Sequence, residues 1–134
     1  MKHSSTDDIM NQLVVDIDGT LCVIDDGTPY PDREVRTDIV KKLRNYYNLG
    51  WSITLYTSRN MNTYNCDTSK IAAHTIPILV KWLEANDVPF DGVHIGKPWP
   101  GDAGFYIDDK AIRPSEFLKY SYDEICVLLS QEVV

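Results

Sequence analysis

Four short apolar runs, each ending in polar residues, punctuate this chain, and stretches of helical periodicity lie between them. The runs are QLVVDI (12–17), WSITLYT (51–57), GVHIG (92–96) and GFYIDD (104–109). Runs of this length suit strands buried on both faces, as in a parallel sheet. After the first run, Val35, Ile39, Leu43 and Tyr46 recur at helical spacing, flanked by Val40 and Tyr47. Asp32 is the expected N-cap of that helix and Gly50 its expected stop. After the second run, Ala72, Ile76, Leu79, Val80 and Leu83 form another stripe, interrupted by Pro77. That predicts either a kinked helix or one that begins near Thr75 with Pro77 in its first turn. From Pro114 the pattern predicts one or two helices, with Ile125, Leu128 and Leu129 facing inward. Alternating strand and helix predicts an α/β fold, a Rossmann-like parallel sheet with helices on both faces.

The 134 residues suit one domain, expected over 12–134 after a polar tail at 1–11 that carries His3. No repeat or linker suggests a second domain. The formal net charge of −7 disfavours polyanionic partners, so neither nucleic acid nor an anionic membrane surface is expected. A small phosphorylated ligand remains compatible if local cations and a metal reverse the field at one site. Cys22, Cys66 and Cys126 are odd in number and form no CxxC pair. They suggest no disulfide framework and no zinc site, and point to a reducing cytoplasm. No run approaches the ~18 apolar residues of a membrane span, so no membrane insertion is expected.

Polar residues fall where the predicted strands end: Asp16 and Asp18, then Thr57 and Ser58, then Lys97, then Asp108 and Asp109. In a doubly wound sheet the carboxyl ends of the strands line one crevice. Two like charges about 4 Å apart repel by roughly 1 kcal/mol in water and about 4 at an effective dielectric near 20. Gathered carboxylates therefore call for a hard cation, Mg²⁺ being the natural one. A lysine and a hydroxyl beside it suit a phosphate dianion. The polar stretch 58–69, with Arg59, Asn60, Asn62, Tyr64 and Asn65, offers partners for a polyol or sugar. Taken singly, each residue has a plainer reading. Asp16 and Asp18 could cap a turn, Thr57 could be a β-former, and Lys97 a surface lysine. Asp108 and Asp109 could open a loop, Arg59 could form a surface salt bridge, and Arg113 could anchor the C-terminal helix.

In order and spacing, DIDGT (16–20), ITLYT (53–57), GKP (96–98) and FYIDD (105–109) resemble the four motifs of the haloacid dehalogenase (HAD) superfamily. SRNMNTYN, KIAAHTIPILVKWL, GKPW and GFYIDDKAIRPSEF resemble more closely its small bacterial phosphatases of capsular polysaccharide biosynthesis. The resemblance implies a minimal HAD core without a cap domain and Mg²⁺-dependent phosphomonoester hydrolysis through an aspartyl-phosphate. It makes Asp16 the nucleophile and Asp18 the general acid and later base, which implies a raised pKa for Asp18. Mg²⁺ would be held by Asp16, the Asp18 backbone carbonyl and Asp108, with Asp109 a ligand through water or an orienter of Lys97. Thr57, Ser58 and Lys97 would hold the phosphate, and Arg59 and Asn60 the leaving group. The implied substrate is a sugar phosphate or other phosphorylated intermediate of surface-glycan synthesis. The site would be open, or covered by the 21–30 segment, the 58–69 loop or a neighbouring subunit, and a homo-oligomer is compatible with this. A receiver-like phosphate-accepting module and a DxD glycosyltransferase are the rival readings.

Overall fold

The computed structural model describes residues 11–25 and 27–132, so His3 and Asp26 lie outside the described residues. The chain forms two compact units, the first ending at Trp99 and the second beginning at Pro100.

In the first unit, β1 (Gln12–Asp16), β2 (Ser52–Tyr56) and β3 (Gly92–His94) form a parallel sheet in the order β1-β2-β3. Ile53 and Leu55 of β2 are fully buried, which explains the apolar alternation within SITLY. Parallel neighbours need long crossovers, and helices supply them. Helix α1 (Thr37–Asn48) buries Ile39, Leu43 and Tyr46, and Tyr46 meets the Trp51 ring edge-on at 5.2 Å. Gly50 stops the helix with a left-handed φ of 100°, as its position predicts. The helix does not start at Asp32, however. Asp32 closes a 3₁₀ turn (Tyr30–Asp32), and residues beyond it stay extended. The Val23 amide donates to the Glu34 carbonyl at 2.9 Å and the Arg36 amide to Leu21 at 2.7 Å. Pairing with the segment after β1 thus overrides helical periodicity at Val35.

The Pro77 stripe is a continuous run in three parts: α2 (Thr68–Lys70), a π turn (Ile71–Thr75) and α3 (Ile76–Ala85). Asp67 caps the start through the Ser69 and Lys70 amides. The Ile76 amide reaches back five residues to the Ile71 carbonyl. A proline ring clashes with the carbonyl four residues earlier, and the widened turn relieves that clash without ending the helix. Leu79, Trp82 and Leu83 are the buried face of α3.

The second unit contains α4 (Pro114–Lys119) and α5 (Tyr122–Ser130). Ser121 divides them with a reciprocal cap: the Glu124 amide donates to Ser121 Oγ, and the Ser121 amide to Glu124 Oε1. Ile125 is buried, with Leu128 and Leu129 half-buried. The strand expected at 104–109 is not formed. A strand needs a neighbour for its amides and carbonyls, and the described residues of this unit contain none. No helix among the described residues is long and apolar enough to cross a membrane.

Candidate active site

The parallel register sets Asp16 level with Tyr56, and Tyr56 level with His94. The residues that follow these three therefore leave the sheet from one edge. The Thr57 amide donates to the His94 carbonyl at 3.0 Å, and the Lys97 amide to the Thr57 carbonyl at 3.2 Å. This lays the chain after β3 along the chain after β2 and carries Lys97 back to Asp16. Lys97 Nζ lies 3.1 Å from Asp16 Oδ1, and Thr20 Oγ1 donates to Asp16 Oδ2 at 3.2 Å.

The turn after β1 is rigidly built. The Ile17 carbonyl accepts from the amides of Thr20, Leu21 and Cys22, and Ile17, Leu21 and Cys22 are fully buried. Gly19 takes φ 88°, and a Cβ there would come within 3.0 Å of the Ile24 side chain. Only glycine accepts that conformation without strain.

Asp18 is clamped. Arg59 grips it with two bonds, Nε to Oδ2 at 2.9 Å and Nη2 to Oδ1 at 3.0 Å. Arg33 Nη1 adds a third at 3.0 Å, and the Cys22 thiol donates to Oδ1 at 3.2 Å. The Tyr30 ring supports both cations, 4.5 Å from the Arg33 guanidinium carbon and 4.2 Å from that of Arg59. Burial pushes the Asp18 carboxyl up, but the hydrogen bonds and charge of Arg59, with the Cys22 thiol and Arg33, outweigh it. The carboxyl is held below the usual carboxylate range, the reverse of the raised value that a general acid implies. Burial, followed by the neighbouring Asp18 charge, pushes the Cys22 thiol up to about 11, so it stays neutral.

Arg59 was expected to reach a leaving group from a surface loop. It is instead only 3% exposed and occupied with Asp18, while its Nη1 is buried without a hydrogen-bond partner among the described residues. Thr57 is also buried, and its Oγ1 accepts the Arg59 amide at 3.0 Å, so it shapes the turn that aims Arg59. Asn60 turns inward as well. At φ 59° its Oδ1 accepts the Thr75 hydroxyl at 2.7 Å, which ties the loop to the π turn. Ser58 is half-buried, and its carbonyl accepts the Met61 amide.

Asp108 and Asp109 belong to the second unit and are exposed. Asp108 Oδ1 accepts the Lys110 amide at 3.0 Å, and this bond, with that to Asp109, lowers its pKa. The first unit thus brings together Asp16, Asp18, Thr57, Ser58, Arg59 and Lys97. For a cation it offers the Asp16 carboxylate and the Asp18 backbone carbonyl. Among the described residues no group of three His, Cys, Asp or Glu is placed to hold a metal. The donor set of the first unit alone is therefore short of a hard-cation site.

Sequence reading did not find Arg33, Tyr30 or Cys22 as partners of this site. Arg33 carries no local signal, because its contact with Asp18 spans 15 residues and that of Arg59 spans 41, whereas Cys22 lies only four residues from Asp18.

No protein-family profile and no curated protein matches the chain. A crystal structure of an MCSG target from Vibrio cholerae does, at 44% identity and a TM-score of 0.87. The match covers 92% of this chain and 100% of that one. At that identity and coverage, the chain belongs to the same family as this Vibrio cholerae protein.

Proposed function

We propose that the protein is a HAD-type phosphatase, a Mg²⁺-dependent phosphomonoester hydrolase that acts through an aspartyl-phosphate. The observation that carries this reading is the Lys97–Asp16 contact of 3.1 Å at the carboxyl edge of the sheet. A lysine beside a carboxylate at that edge can neutralise both the attacking oxygen and an incoming phosphate dianion. Asp16 would attack phosphorus in line, expelling the alcohol oxygen and leaving phosphate esterified to its own carboxylate. Water would then cleave the acyl phosphate and regenerate Asp16. As a carboxylate held between two arginines, Asp18 suits the second step, taking a proton from that water. Protonating the leaving oxygen first requires a looser clamp, and a phosphate dianion offers Arg59 a competing partner for its unfilled Nη1. Bound Mg²⁺, on Asp16, the Asp18 carbonyl and the Asp108–Asp109 pair that the resemblance assigns to it, would screen the dianion from the carboxylates. The substrate class we propose is a cytoplasmic sugar phosphate or similar intermediate of surface-polysaccharide synthesis.

The test is release of inorganic phosphate from a panel of sugar, polyol and aryl phosphates with Mg²⁺. Asp16→Asn is expected to abolish turnover while leaving the circular dichroism spectrum unchanged, because an amide is a poor nucleophile. Full turnover by this variant, or by wild type after exhaustive chelation, would overturn the reading.

A further inference from the structure

The charges at the carboxyl edge of the sheet are unequally matched. Lys97 meets Asp16 one for one, at 3.1 Å. Asp18 meets two guanidiniums, Arg59 at 2.9 Å and Arg33 at 3.0 Å. Three cations thus face two carboxylates, in a chain whose formal net charge is −7. Both arginines are shielded from water, the side chain of Arg59 being 1% exposed and that of Arg33 11%. Shielded charges are ordinarily paired, so the surplus calls for an anion. Asp18 cannot supply it. Its Oδ1 accepts from Arg59, Arg33 and the Cys22 thiol and its Oδ2 from Arg59, which fills its acceptor sites. Arg59 Nη1 is buried and still has no hydrogen-bond partner among the described residues. Asp25 lies within electrostatic reach of Arg33, but it is exposed and accepts the Thr28 hydroxyl and the Gly27 amide, so water screens it.

The Arg33 side chain is also surplus to the architecture around it. Its backbone carbonyl accepts the indole N–H of the buried Trp82 at 2.9 Å, and backbone bonds join 34–36 to 21–23. These hold the segment whatever its side chain does. Arg59 alone already engages both oxygens of Asp18. Yet the Tyr30 ring lies within 4.5 Å of both guanidinium carbons and keeps the two like charges together.

We infer that Arg33, backed by Arg59, receives a second anionic group of the substrate, carried on the alcohol that leaves. This rests on the phosphatase reading, in which Asp16 and Lys97 take the reacting phosphate. Asp18 is two residues along the chain from Asp16, which spans no more than about 7 Å. The second anion therefore lies only a few bonds from the phosphorus. The substrate is then the phosphate ester of an acidic alcohol: a sugar acid or hydroxy acid, or an alcohol with a further phosphoryl group. A guanidinium presents paired N–H donors that match a carboxylate or a phosphoryl group.

Matched pairs of phosphate esters test this. For a carboxylate, 2-phosphoglycerate is set against glycerol 2-phosphate, and 3-phosphoglycerate against glycerol 3-phosphate; each pair differs in one carboxylate for one hydroxymethyl. For a phosphoryl group, fructose 1,6-bisphosphate is set against fructose 6-phosphate. In at least one pair, kcat/KM of wild type is expected to favour the more anionic member by on the order of ten- to a hundredfold, as a charge-assisted hydrogen bond can. The pair that shows the preference tells carboxylate from phosphoryl. Arg33→Gln should bring that ratio close to one, and Arg33→Lys, which keeps the charge, should restore part of it. Each ratio is taken within one protein, so partial unfolding or a displaced Asp18 cancels. Wild-type ratios near one in every pair, or the same preference in Arg33→Gln, would overturn the anion subsite and leave the phosphatase reading standing. If no ester is hydrolysed, the phosphatase reading falls, and the same pairs are titrated calorimetrically. A Kd preference for the more anionic member that Arg33→Gln abolishes would then support the subsite by itself; equal or absent binding would overturn it too.

Discussion

Asp18 has both carboxylate oxygens engaged by Arg59 and one of them also by Arg33, so its ionisation is tied to folding. Its carboxyl titrates lower in the fold than the 3.8 of an ordinary aspartate. The unfolded chain therefore binds the proton first on acidification. The stability contributed by the clamp is fully present above the ordinary value and is lost as the pH falls through the lower, folded value. Urea midpoints measured from about pH 6 to pH 2 should drop more steeply for wild type than for Asp18→Asn. Parallel curves below the ordinary aspartate range would show that the clamp carries no such linkage. The clamp also accounts for what sequence reading missed at this scale. The presence of Asp18 and Arg59 near the site was legible, but their direct contact was not, because nothing local to either residue encodes it.

At the scale of elements, the turn after β2 and the π turn before α3 are joined by one bond, Asn60 Oδ1 to the hydroxyl of Thr75. Thr75 is only 4% exposed, so removing its acceptor leaves a buried hydroxyl unsatisfied. Asn60→Ala should lower stability by about 1–3 kcal/mol, part of it from placing alanine at positive φ. Chemical denaturation would measure this loss, and Thr75→Ala in the same chain should add little to it. The sequence pattern suggested a different role for Asn60, contact with a polar leaving group. The two roles separate cleanly. If Asn60 is structural, kcat/KM for a sugar phosphate and for an aryl phosphate fall by the same factor; a selective loss for the sugar phosphate would restore the specificity role.

For the molecule as a whole, the proposed cation couples the site to global stability. A ligand that binds only the native state, at a hundredfold excess over its Kd, adds about 2.7 kcal/mol. Thermal unfolding should therefore rise with Mg²⁺ and return to baseline with EDTA. The rise should be absent in Asp16→Ala, since that carboxylate is the side chain that the first unit offers to the proposed set. An equal rise in wild type and variant would place the cation elsewhere.

The sequence by itself determined the α/β class, the three strands β1, β2 and β3, the buried face of α1 and the convergence of Asp16, Thr57 and Lys97 on one sheet edge. These are consequences of apolar periodicity and of parallel strands ending together, and both are local properties of the chain. Tertiary structure decided the rest. Backbone pairing of 21–23 with 34–36 delayed the start of α1 to Thr37. The ring of Pro77 was absorbed by a π turn that runs into α3. Arg59 and Asn60 turned inward because the buried groups of Asp18 and Thr75 needed partners. GFYIDD has the composition of a strand, but a strand exists only against a neighbour, and composition cannot say where that neighbour is.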